Sequence, residues 1–173
     1  RLWADVLNAV PDASLLLRAP SFKDAGAVAR FQKLFGEQGI TADRLTFKGP
    51  VGLDEMMRSY GEIDIGLDPT PYNGGTTTLQ ALWMGVPVLT LKGGHFVSRM
   101  GASFMAAAGL SDWVADNDED YVAIAVARAQ DRQSLIALKA DLRSKLLSQT
   151  AWDADLYARD FMRAIASMYP DAP

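Results

Sequence analysis

The stretch from Ile63 to Leu91 admits few folds, because an apolar run of strand length, a proline- and glycine-rich loop, a helix-length segment, a glycine–proline turn and a second apolar run follow one another without a gap. Ile63-Asp64-Ile65-Gly66-Leu67 reads as a short strand. Asp68-Pro69-Thr70-Pro71-Tyr72-Asn73-Gly74-Gly75 cannot continue it, since proline removes ladder donors and glycine leaves no side chain to pack. Thr76-Thr77-Thr78 then opens a helix that should end at Met84, with Gly85 as left-handed terminator and Pro87 just beyond; Val86 to Leu91 is the next buried strand. Gly74 and Gly75 let a ligand approach the main chain, Thr76 or Thr77 can cap free N–H groups, and the helix dipole favours an anion at that end. The order of elements is that of a phosphate-binding site.

The same alternation extends in both directions. Ser14 to Leu17 and Leu45 to Phe47 read as strands, stopped by Arg18-Ala19-Pro20 and Lys48-Gly49-Pro50. Between them Ser21 and Asp24 resemble a capping box, followed by an apolar stripe of Phe22, Val28, Phe31, Leu34 and Phe35. Asp54 to Tyr60 is helical and stops at Gly61. Strand and helix in turn argue for an α/β fold, a doubly wound parallel sheet of Rossmann-like kind, with extra C-terminal helices. Those helices are expected over Ser98–Ala108 (stopped by Gly109), after a cap at Asn117 or Asp118, after a cap at Asp131, and over Asp153–Tyr169 with an apolar face of Tyr157, Phe161, Ile165 and Met168. Met100, Met105, Met162 and Met168 are assigned to apolar faces.

With 173 residues, 49% of them apolar, one domain is expected over 1–173, of which 111–173 is mostly helical. Leu2, Val6, Leu7 and Val10 have helical spacing with no capping residue before them, so the chain is expected to be cut from a longer one. A net charge of −4 without a basic run argues against a nucleic-acid partner. No apolar run reaches membrane-spanning length, and the lack of cysteine with a single histidine, His95, disfavours disulfides and a zinc centre. A cytoplasmic location without a membrane partner is the expectation.

Ligands of an open parallel sheet bind beyond the carboxyl ends of its strands. Here those ends carry Arg18, Lys48-Gly49-Pro50-Val51, the Asp68–Thr78 loop and Lys92-Gly93-Gly94. Lys48 and Lys92 are candidate electrostatic contributors or solvated lysines. Arg99 either reaches a phosphate or satisfies loop carbonyls, and His95 is either a general base or an exposed loop histidine. Asp68, before a proline, is read as a turn-fixing side chain rather than a catalytic acid, and the acids from Asp116 to Asp120 as compensation of a helix dipole.

The segments Leu67–Thr78, Ala81–Thr90 and Ser98–Ser103, with Trp3–Pro20 and Ile40–Tyr60 around them, resemble the C-terminal half of bacterial O-linked N-acetylglucosamine transferases of the SPINDLY type. The resemblance implies the C-terminal half of a GT-B glycosyltransferase fold, the lobe that binds a UDP-sugar donor, with no metal or other cofactor. It places Gly75, Thr76 and Thr77 at the pyrophosphate, Pro50 and Val51 at the uracil, Gln80 at the ribose where the family usually has an acid, and Met56 where many members stack a histidine on the base. It also implies that the catalytic residues and a diphosphate lysine lie outside this chain, in an N-terminal lobe, that helical repeats often precede that lobe, that the acceptor is a protein, and that this chain alone transfers no sugar. Two other readings stand beside it. One is a structural or partner-binding lobe with a degenerate nucleotide site, suggested by Met56 and Gln80. The other is a receiver-like signalling domain with Asp68 as phosphoacceptor, which lacks an acidic cluster at the first strand end.

Overall fold

The computed structural model describes residues 1–169, so the last four residues of the expected 111–173 segment lie outside the described residues. Five short strands are all parallel: β1 (Leu15–Arg18) pairs with β2 (Leu45–Lys48), and β4 (Val88–Leu91) lies between β3 (Gly66–Asp68) and β5 (Val114–Ala115). The expected doubly wound arrangement is present, with the ladder divided between β2 and β3. Leu15 stands opposite Leu45, and Asp68 opposite Thr90. The predicted strand at Ile63 begins later, at Gly66, because Ile63 and Ile65 earn their apolar character by packing against the core rather than by pairing.

The helices are α1 (Leu2–Ala9), α2 (Ala25–Gly36), α3 (Leu53–Ser59), α4 (Thr76–Trp83), α5 (Met100–Ala107), α6 (Asp118–Gln130), α7 (Arg132–Leu147) and α8 (Ala154–Met168). Local chemistry explains several of their ends. Asn117, Asp131 and Asp153 each accept a backbone N–H from the first turn they precede. The Ser21–Asp24 capping box is not formed: Asp24 is itself the cap of α2, accepting the Ala27 N–H at 2.7 Å, and Ser21 lies in a preceding 3-10 turn. Ser98 likewise belongs to a 3-10 turn, and α5 starts after it. Arg44 closes the other end of α1, donating to the carbonyls of Leu7, Val10 and Ala13 at 2.7–2.9 Å. Of these, the Leu7 carbonyl is one that the helix end leaves without an internal partner.

Two hydrophobic clusters fill the interior. The smaller packs Ala4, Leu7, Leu15, Phe35, Ile40 and Leu45 together, bordered by the edge-to-face rings of Phe22, Phe31 and Phe47. The larger surrounds β4, every residue of which is buried, and includes Leu82, Met105, Trp113, Tyr121, Leu142 and Leu146. Helix α1 serves both, with Leu7 in one and Val6 in the other, and Leu67 touches both. Leu34, placed on the expected stripe of α2, faces solvent, as do Met162 and Met168. The stripe of α8 is uncovered throughout: Tyr157, Phe161, Ile165 and Met168 are all exposed, and no residue of that helix is buried.

Helix α7 straps the larger cluster. Lys139 donates to the Ile63 carbonyl at 2.7 Å and pairs with Asp64 at 2.8 Å, while the Arg143 guanidinium lies 4.2 Å above the Trp83 ring. Gly85, just past α4, has φ +80, and a Cβ there would stand 2.7 Å from the Lys139 carbonyl oxygen. Gly85→Val combines a left-handed backbone with that collision, so the unfolding free energy should fall by at least about 2 kcal/mol, read from urea denaturation followed by circular dichroism.

Candidate functional site

The loops at the carboxyl ends of β1 to β4 form the candidate site, and its centre is the segment between β3 and α4. Asp68 ends β3 only 7% exposed. One carboxylate oxygen accepts the Gly74 N–H at 2.7 Å, and the other accepts the Thr90 hydroxyl, also at 2.7 Å. This is the turn-fixing role read from its sequence position. Burial raises the pKa of Asp68, and the two donated bonds oppose that rise.

Asn73, fully buried, completes the anchorage. Its amide nitrogen donates to the carbonyls of Pro69 and Leu91, its oxygen accepts the Gly101 N–H, and its backbone N–H donates to Val97. The β3–α4 loop, the β4–α5 loop and the start of α5 are thereby one hydrogen-bonded body. Close contacts enforce the small residues: a Cβ at Gly74 would lie 2.4 Å from the Thr78 hydroxyl, and one at Gly101 would lie 2.1 Å from that of Thr90.

Helix α4 begins at Thr76 with Gly75 as its N-cap, and no threonine side chain caps it, contrary to the expected role of Thr76 or Thr77. The N–H groups of Thr78 and Leu79 turn back to the Gly75 carbonyl. Among the described residues, those of Gly75, Thr76 and Thr77 donate to no protein acceptor. Thr76 and Thr77 are exposed, and Gln80 is half-buried one turn further along. Three N–H donors without protein acceptors at the positive end of a helix, on a loop anchored through Asp68 and Asn73, suit an anion.

Beside this mouth, an open cavity of about 380 Å³ lies between the ends of β1 and β2 and helix α3, lined by Arg18, Lys48, Gly49, Pro50, Val51, Glu55, Arg58, Ser59 and Glu62. Arg18 donates to the Gly49 carbonyl at 3.0 Å, fixing the approach to Pro50 and Val51. Lys48 is engaged by Glu62 at 2.6 Å. Met56 does not line the cavity, because its side chain packs against the larger core cluster. The buried hydroxyl of Tyr60, directly after α3, donates to the Thr77 carbonyl at 3.1 Å and joins the cavity side to the α4 mouth. Burial raises the pKa of that phenol.

The other candidates sit around the rim. Lys92 pairs with Asp116, the first of the acids assigned to dipole compensation; Asp118, Glu119 and Asp120 fill the first turn of α6. His95 is exposed, and its backbone N–H and carbonyl are both held by the Ser98 hydroxyl. Arg99 is exposed at the start of α5, where the neighbouring Met100 side chain comes within 3.5 Å of the position a Gly75 Cβ would take. No group of three or more His, Cys, Asp or Glu among the described residues is arranged to hold a metal ion, and no described helix is long and apolar enough to cross a membrane. Asn73, Thr90 and Tyr60 are the residues holding the candidate site together that sequence reasoning missed. Asn73 alone left a signal, as the one amide in a loop of prolines and glycines.

A lobe of parallel strands covered by helices, with its strand-end loops gathered on one edge, is of the Rossmann-like kind that makes up the C-terminal half of GT-B enzymes. The chain belongs to glycosyl transferase family 41, whose model matches residues 1–161. Among its relatives, the Solanum lycopersicum protein named "Probable UDP-N-acetylglucosamine--peptide N-acetylglucosaminyltransferase SPINDLY" is 31% identical over 98% of this chain. A Caenorhabditis elegans UDP-N-acetylglucosamine--peptide N-acetylglucosaminyltransferase is 29% identical over 97%. A mutant of the Thermobaculum terrenum O-GlcNAc transferase superposes with a TM-score of 0.90 at 34% identity over 98% of the chain. The chain spans 18% and 14% of the two curated relatives and 33% of the solved one.

Asp68 also gives the fold a pH signature. A carboxyl whose folded pKa lies above its unfolded value of 3.8 contributes most to stability below that value and loses the contribution as pH rises through the folded pKa. Asp68→Asn cannot ionise. Its stability relative to the parent should therefore improve as pH is raised from about 3.5 to about 7, measured by urea midpoints at both ends of the range.

Proposed function

We propose that this chain is the donor-binding lobe of a protein O-glycosyltransferase, that it takes a UDP-sugar, UDP-N-acetylglucosamine by analogy with the names its relatives bear, and that it needs the rest of a longer polypeptide for catalysis. The observation that carries the reading is the α4 mouth: N–H groups of Gly75, Thr76 and Thr77 without protein acceptors, on a loop anchored by Asp68 and Asn73, in a chain of glycosyl transferase family 41. In this reading the diphosphate rests on those N–H groups, the base enters the cavity at Pro50 and Val51, and Gln80 meets the ribose. Donors aimed where the leaving diphosphate gathers charge would stabilise the transition state without reorganising. Arg99 stands on the rim where a further cation can reach the phosphates. The acceptor protein and the catalytic groups belong to the remainder of the polypeptide.

A second reading, a lobe with a degenerate nucleotide site, has one observation in its favour. Met56 is turned to the core and Lys48 and Lys92 are held by acids, so base stacking and free positive charge are both reduced. Calorimetric titration with UDP and UDP-N-acetylglucosamine separates the two readings: saturable binding supports the first, and its absence the second. Thr77→Glu places a carboxylate at the proposed diphosphate position and should abolish UDP binding with the thermal midpoint unchanged; binding equal to the parent would refute the site.

Gln80 gives a test of opposite sign. A neutral amide hydrogen-bonds ribose hydroxyls more weakly than a carboxylate does, by about 1 kcal/mol. Gln80→Asp should thus tighten UDP about fivefold in the same titration. No gain would remove Gln80 from the nucleoside contacts.

A further inference from the structure

We propose that Tyr60 is a positioning residue that sets the distance between the two halves of the nucleotide site. This rests on the donor-lobe reading above. The cavity that would take the base is bounded by the β2–α3 loop and by α3 itself, through Val51, Arg58 and Ser59. The N–H groups that would take the diphosphate belong to α4 and its cap, a separate helix from the one that bounds the cavity. Tyr60 joins the two within the larger cluster, following α3 directly and sharing that cluster with Met56 and Met57 of α3 and Ala81 and Leu82 of α4. Tyr60 is 6% exposed and packs in the larger core cluster, and its hydroxyl reaches the Thr77 carbonyl at 3.1 Å.

Three properties make this contact more than packing. Tyr60 directly follows Ser59, a cavity-lining residue, so little slack separates the bond from the cavity wall. Thr77 is a residue whose own N–H is free for the ligand, so the hydroxyl holds the peptide-bearing turn that would bind the phosphates. The Thr77 carbonyl already has its place in the helix, so the bond from Tyr60 is additional to what α4 requires for its own integrity. A ligand with two tethered parts gains from a site whose halves are held at the right separation; neither part alone has any use for that separation.

The test follows from that asymmetry. Tyr60→Phe keeps the ring in the core and removes the one bond. The parent chain and Y60F are each titrated with UDP, with uridine and with inorganic pyrophosphate, and thermal unfolding checks that the variant is folded. The expected result is UDP binding about fivefold weaker in Y60F, with uridine and pyrophosphate each within about twofold of the parent. Equal UDP affinity in the two chains overturns the proposal. So does an equal loss for all three ligands, which would mark a general disturbance of the fold. A parent chain that binds none of the three overturns the donor-lobe reading itself and this inference with it, an outcome distinct from a parent that binds UDP and a variant that matches it.

Discussion

The Asp68 carboxylate, received by the Gly74 N–H on one side and the Thr90 hydroxyl on the other, is the contact on which the geometry of the candidate site depends. A buried charged oxygen without donors is costly, and each buried donor without an acceptor costs about 1–3 kcal/mol, so the three groups hold one another in place. Because Thr90 belongs to the fully buried central strand, the loop before α4 is referenced to the most rigid part of the core. Asn73 does the same from the next peptide and carries the reference on to α5. The bonds that fix the loop are made by Asp68, Asn73 and Gly74, and among the described residues the N–H groups of Gly75, Thr76 and Thr77 are left uncommitted.

What the sequence made legible was local. The caps at Asn117, Asp131 and Asp153 and the stops at Gly85 and Gly109, both with positive φ, follow from steric and hydrogen-bonding rules that span four residues or fewer. The alternation of strand and helix was readable for the same reason, and it sufficed for the fold class. Displaced boundaries arose where an apolar residue signals burial without saying what kind: Ile63 and Ile65 pack but do not pair, and Val86 is buried before its strand begins. The amphipathic pattern of α8 was read correctly as a helix, yet periodicity says only that a face is apolar and never what covers it.

The site was legible in its centre and obscure around it. Glycines and threonines at a strand end announce a helix mouth, and the structure puts the mouth where the sequence placed it, one residue away from the expected cap. The contacts that make it rigid join residues 17 to 28 positions apart, Tyr60 to Thr77, Asp68 to Thr90 and Asn73 to Gly101, and no local pattern encodes such pairs. Lysines at strand ends look free in a sequence because their acids, Glu62 and Asp116, arrive from elsewhere in the chain. Met56 shows the converse: its position was aligned with a base contact, and its apolar chain followed the stronger pull of the core.

The division of the interior into two clusters carries a consequence for how the molecule breathes. Among the described residues only α1 and Leu67 belong to both clusters, so opening of the smaller one, with β1, α2 and β2, breaks few apolar contacts with the larger. The cavity wall is drawn from both sides of that seam, Arg18 and Lys48 from one and Arg58 and Ser59 from the other. An occupant would bind only when the two halves are assembled, and by mass action it would stabilise the seam along with itself. Amide hydrogens deep in β1 and β2, which no ligand atom touches, would then exchange more slowly. Two sub-globular units that open separately in the empty lobe would come to unfold as one.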